Sequence, residues 1–245
     1  MQHISSKTKP RLFLAVFFFL LLSFLAGPGC LTIMESYEFR DDGSGKTTFM
    51  VDVSEMVNMM TMFGNMGDSL SEEGSMDEQV AEMFRDNSQV LKLSEIPGIR
   101  NVQSLNDRER NTIGYSYEFE SVEALNLALA ASDSGSVLSG ITEGQSLPGG
   151  ENSFSFEGKR FSRKHPSENM KPQAQDDEEG TMGMMSMMMA DAKYTISYTF
   201  EGRMIKKADA QGGQISNNGR TLTQEVSLID MMKGESNLGS ALKLK

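Results

Sequence analysis

Thioether sulfur is the most abundant unusual donor in this chain, with 20 methionines among 245 residues. They gather as Met56, Met59, Met60, Met62 and Met66, and again as Met182, Met184, Met185, Met187, Met188 and Met189. Thioethers are soft ligands that favour copper(I), and residues three or four apart share one helix face. Met56/Met59, Met62/Met66 and Met185/Met188/Met189 meet that spacing. Copper(I) chelation is therefore one chemistry open to the chain, with Met56, Met59, Met185 and Met188 as candidate ligands. Methionine is equally a flexible core filler and a constituent of adaptable binding surfaces. Val57 and Phe63 interleave the first cluster, which suits a helix packed on a sheet. The second puts five methionines into the six positions 184–189. On any helix some of Met182–Met189 must face outward, and such a patch calls for a partner, a bilayer surface or an internal groove.

The other reactive sets are incomplete. His165 is one of two histidines and Cys30 is the single cysteine, too few for a His/Cys zinc site. No Gly-x-Ser-x-Gly elbow occurs. The 34 acidic residues contain no pair marked out by context as a hydrolase dyad. Gly43-Ser44-Gly45-Lys46 lacks phosphate-loop spacing and leads into a strand. A formal net charge of −11 argues against nucleic acid, whose affinity rests on phosphate neutralisation. The reading is non-enzymatic, with no cofactor and no favoured metal.

The N-terminus supplies a location. Lys7, Lys9 and Arg11 precede an apolar run, Leu12 to Leu25, and Ala26-Gly27-Pro28-Gly29 leads to Cys30. That is the layout of a secretory signal, and about 14 apolar residues fall short of a membrane span. The junction resembles the lipobox of bacterial lipoproteins, although Pro28 departs from the usual pattern. The resemblance implies cleavage before Cys30 and acylation of its thiol, and several acyl chains give durable anchoring. Residues 1–29 then form a signal peptide and residues 30–245 a single domain.

The elements that must position these residues follow from period-two patterning. Residues 31–53 read as a hairpin turning at Asp41–Gly45, with Ile33, Glu35, Tyr37 and Phe39 on one face. Helices are expected over 55–63, 76–89 and 121–131, the last capped by Ser121. Strands are expected at 99–105, 113–119, 194–200 and 222–226. A short hairpin should surround Gly158, a helical turn should start at Leu228, and 241–244 should be a final strand. Residues 162–190 read as a polar, acidic and Met-rich insertion whose last part, 182–190, is helical. All five tyrosines (37, 115, 117, 194 and 198) lie in strands of one design. The expected fold is α+β, a mostly antiparallel sheet with one aromatic face covered by helices, preceded by the apolar N-terminal helix.

Several segments also resemble an uncharacterised lipoprotein family of Bacteroidota type. They are Cys30 to Met56, Ile99–Val102, Tyr115–Phe119, and Tyr194–Gly202 with Asn218–Thr221. A weaker likeness runs to the LppM-type lipoprotein domain, through the strand, Asp-Gly-Ser-Gly turn, strand opening. These resemblances imply a membrane-tethered envelope domain and hand over no catalytic residues. The expected function is a non-catalytic interaction or structural module, held to the membrane through lipidated Cys30, with envelope proteins or lipid as partners. The alternatives are a carrier of lipid or another apolar ligand, using the aromatic face and Met182–Met189, and a periplasmic copper(I) binder. Leu31, where an Asp would retain a lipoprotein of enteric type at the inner membrane, points to the periplasmic side of the outer membrane.

Overall fold

The computed structural model describes residues 31–58, 61, 76–132, 154–164, 191–232, 235–236 and 238–245. The chain opens with β1 (Thr32–Phe39) and β2 (Gly45–Asp52), paired antiparallel from Thr32↔Asp52 to Phe39↔Gly45. The turn between them is built by Asp42, whose carboxylate accepts from the Ser44 N–H at 3.0 Å and its hydroxyl at 2.7 Å. Gly43 sits there at φ +85°, where a side chain is strained. Those bonds, the hydroxyl's first, pull the Asp42 carboxyl below its ordinary pKa. Gly45 answers a different need. A side chain there would strike the Glu38 carbonyl and the Phe119 ring, so the bare backbone makes room for that ring.

After a helical turn at 54–58 come α1 (Met76–Arg85) and α2 (Ser88–Ser94). The helix expected over 76–89 is thus two, broken where Asp86 accepts from the Ser88 N–H and hydroxyl. Next are β3 (Ile99–Ser104), β4 (Thr112–Phe119) and α3 (Val122–Ala131). Ser121 caps α3 by accepting from Ala124 N at 3.2 Å. The second half adds β5 (Phe154–Glu157), β6 (Arg160–Arg163), β7 (Lys193–Phe200), β8 (Ile205–Ala210), β9 (Gln214–Ser216), β10 (Thr221–Ser227), α4 (Leu228–Met232) and β11 (Ser240–Leu244). β8 and β9 had no expected counterpart.

Two sheets result. The first has seven strands in the order β3-β4-β2-β1-β7-β10-β9, and the second has four, β5-β6-β11-β8. Every pairing is antiparallel except β1 with β7, which run parallel from Thr32↔Lys193 to Phe39↔Phe200. The class is α+β with mostly antiparallel sheets, as the patterning indicated. The layer over the aromatic face is the expected helices, with Val80, Leu93 and Leu125 buried, together with the second sheet, where the sequence reading placed helices alone. The reason is that Phe154, Phe161, Leu242 and Leu244 supply apolar area that only a sheet-on-sheet contact buries. Rings from both sides interleave: Tyr37 and Phe154 lie 4.8 Å apart between centroids, Phe39 and Phe161 5.0 Å, and Phe161 and Tyr198 5.1 Å. β6 also runs two residues into the stretch read as a polar insertion, because Arg163 is buried.

Candidate functional site

The register lays residue rows across the inner face of the large sheet. One row reads Tyr115, Phe49, Glu35, Ile196, Gln224; the next reads Tyr117, Thr47, Tyr37, Tyr198, Leu222. Glu35 is thus a carboxylate on the central strand, facing inward, with a side chain only 7% exposed. Such a charge needs a partner, and the second sheet delivers it. Phe161 and Arg163 point to the same side of β6, so the strand that buries the phenyl ring also carries a guanidinium inward. Arg163 Nη2 lies 3.2 Å from Glu35 Oε2, with the Arg163 side chain fully buried.

Tyrosines enclose the pair. The Tyr37 hydroxyl donates to Glu35 Oε2 at 3.1 Å, and Arg163 Nη1 donates to the Tyr198 oxygen at 3.3 Å. Tyr194 is buried beside both charged groups, and both act on its hydroxyl. The guanidinium carbon sits 5.5 Å from the Phe154 ring centre and 6.0 Å from that of Tyr37, within cation–π range. Burial pushes the Tyr37, Tyr117 and Tyr194 hydroxyls far above the usual tyrosine pKa, and the Glu35 charge adds to it. Tyr198 is pushed up to about 12 by burial, with Arg163 opposing. Tyr115 moves upward for the same first reason. For Arg163, burial works against the charge, but Tyr198 and Glu35 outweigh it and its pKa stays above the ordinary value.

The guanidinium and the tyrosines hold their protons. A guanidinium keeps its charge in proteins, and tyrosines shifted upward stay neutral at physiological pH. With both charged side chains sealed between sheets, the arrangement is a clamp between layers.

Two surface recesses lie among the described residues. One, about 780 Å³, lies between α1, α2 and β4; Glu78, Glu82, Asp86, Gln89, Asn106 and Tyr115 line it. Asn106 holds it open as a strut, donating to the Phe84 and Asp86 carbonyls at 3.1 and 3.2 Å and accepting from Gly114 N at 3.1 Å. The other, about 450 Å³, is a trough on the outer face of the small sheet. Arg160, Lys243 and Lys207 stand side by side there, and none makes an ion pair among the described residues. Among the described residues no group of three His, Cys, Asp or Glu could hold a metal.

No protein-family model matches the chain, and no curated protein matches it either. Among solved structures the chain is similar to the folded domain of LppM from Mycobacterium tuberculosis, determined by NMR. That likeness has 9% identity and a TM-score of 0.37, and covers 88% of this chain and 90% of the other. At that score it assigns neither site nor function. No helix among the described residues is long and apolar enough to cross a membrane, which says nothing of strands.

Most residues singled out by sequence lie outside the described set: Cys30, Met59, His165, and Met182, Met184, Met185, Met187, Met188 and Met189. The signal peptide and residues 165–190 of the insertion lie outside it too. Met56 is described, and packs half-buried against the core. The aromatic face is where the periodicity put it, and Tyr37, Tyr117, Tyr194 and Tyr198 are buried there. Sequence reasoning missed Arg163. The available signal was Glu35, a carboxylate inside an apolar alternation, which demands a cation at period two in some other strand.

Proposed function

We propose that this chain is a non-catalytic envelope lipoprotein, tethered through acylated Cys30 on the periplasmic side of the outer membrane, that works by contact as an interaction or structural module. The observation that carries this reading is the filled interior. The aromatic face that could have held a ligand is occupied by Phe154 and Phe161 and locked by the Glu35–Arg163 pair. What is left for function is the outer surface. The motif likeness to Bacteroidota-type lipoproteins and the signal-like N-terminus support the tether, and the sparse His and Cys content supports the non-catalytic part.

Two measurements test it. The intact mass of protein extracted from membranes should show cleavage before Cys30 plus acyl chains, and Cys30→Ser should move the protein to the soluble fraction. A full-length, unacylated chain would overturn the tether. Native mass spectrometry of the soluble Cys30→Ser form should show no stoichiometric lipid. A bound lipid would replace this reading with a carrier.

A further inference from the structure

We propose that the fold meets the lipid surface end-on, by the end of the sandwich where β1 begins, and stands with its β1–β2 turn as the far tip. This rests on the tethered reading above, and holds whether the anchor is acylated Cys30 or a retained Leu12–Leu25 run. The argument is one of chain length. β1 starts at Thr32, and Leu31 is already buried, its carbonyl accepting from Lys193 N at 3.0 Å. Consecutive Cα atoms lie about 3.8 Å apart, so an acylated Cys30 leaves no linker between membrane and strand. If the apolar run is retained instead, residues 26–30 span at most about 18 Å.

The same end is stitched into one rim. Val53 N donates to Asn111 O at 2.8 Å, Leu228 N to Ala192 O at 2.8 Å, and Lys193 N to Leu31 O. Among the described residues the bilayer-facing surface is therefore the helical turn at 54–58, the β3–β4 turn, Asp191 and the start of α4. Its exposed charges are mixed: Arg108, Glu109, Arg110 and Asp191. Arg110 is paired with Asp107 at 3.6 Å. These described charges of mixed sign give no basic face for anionic lipid, so the proposed orientation rests on the short tether.

The tip cannot bend back. Eight residues of β1, at about 3.3 Å each, put the turn at 40–44 about 26 Å from the rim. Arg203 fixes that tip across both sheets. Its Nε contacts Asp41 Oδ1 at 2.9 Å, its Nη2 donates to Asp41 O at 3.1 Å, and its Nη1 donates to Gly158 O. A side chain at the neighbouring Gly202 would displace the Asp41 carboxylate from this contact.

The test uses the full-length acylated protein in phosphatidylethanolamine/phosphatidylglycerol vesicles. Fluorophores are placed at Arg108→Cys on the rim or Lys159→Cys near the tip, and a nitroxide-headgroup lipid is the quencher. We expect quenching several-fold stronger at position 108 than at 159. Twelve Gly/Ser residues inserted between Cys30 and Leu31 should abolish that difference. Equal quenching in the native-length protein, or stronger quenching at 159, overturns the end-on placement while the tether stands. Failure of the protein to stay with the vesicles overturns the tether, and this inference with it.

Discussion

Glu35 and Arg163 come from opposite sheets, and each is tolerable in the interior only because of the other. Breaking a buried pair by removing one partner costs about 3–5 kcal/mol, while replacing both with apolar residues is often neutral. Arg163→Met should therefore destabilise the fold by about that amount, and adding Glu35→Leu should recover most of the loss, read as urea midpoints. Additive losses would show that the two side chains are not coupled. The surrounding tyrosines give a second prediction. An unfolded tyrosine titrates near pH ~10, and the folded ones titrate higher, Tyr198 at about 12. Above pH ~10 the unfolded chain releases protons that the folded chain keeps, so the stabilisation is complete below pH ~10 and is lost as pH rises toward 12. The chain has no tryptophan, so tyrosinate absorbance reads this cleanly. Five tyrosines should ionise together, in a cooperative alkaline unfolding, and not one by one near pH 10.

At the scale of elements, side-chain amides do the joining. Asn126 of α3 donates to Phe154 O at 3.0 Å and accepts from Phe154 N at 2.8 Å, fixing the start of β5 to the helix. Asn126→Ala leaves both backbone groups unpaired in a partly buried place and should cost about 1–3 kcal/mol by chemical denaturation. Amide exchange at the Phe154 N–H should rise, because that N–H donates its hydrogen bond to Asn126. The strands that were legible are those with clean alternation on a buried face. Tyr194, Ile196, Tyr198 and Phe200 fix β7, and Ile113, Tyr115, Tyr117 and Phe119 fix β4. β8 escaped because Ile205-Lys-Lys-Ala-Asp-Ala210 is an edge strand with consecutive lysines, a composition that blunts an edge and erases the period. α2 escaped because seven residues carry too few turns for an apolar stripe. The second sheet was out of reach for another reason. Its hairpin around Gly158 and its last strand were legible one by one, but the pairing of β11 with β6 and β8 joins pieces from 160–163, 205–210 and 240–244 and leaves no local mark. The Met-rich reading rested on helical spacing within 182–190, outside the described residues. The aromatic surface was readable, and its cover was not.

For the molecule as a whole, β11 is the piece on which closure depends. It pairs with β6 on one side and β8 on the other, and its Leu242 and Leu244 are buried. Removing residues 240–245 takes away an inner strand of the small sheet and uncovers the aromatic face. The truncated chain should lose its single cooperative urea transition and become sensitive to limited proteolysis. A truncated protein that stays protease-resistant would mean the large sheet stands alone. The parallel pairing of β1 with β7 has a consequence in time. A chain delivered across a membrane amino end first presents β1 and β2 early, yet the second partner of β1 arrives only when residue 200 has crossed. Until then Ile33, Tyr37 and Phe39 face water beside an unpaired strand edge. For as long as delivery takes, the hairpin carries an open, apolar strand edge that invites pairing with another chain.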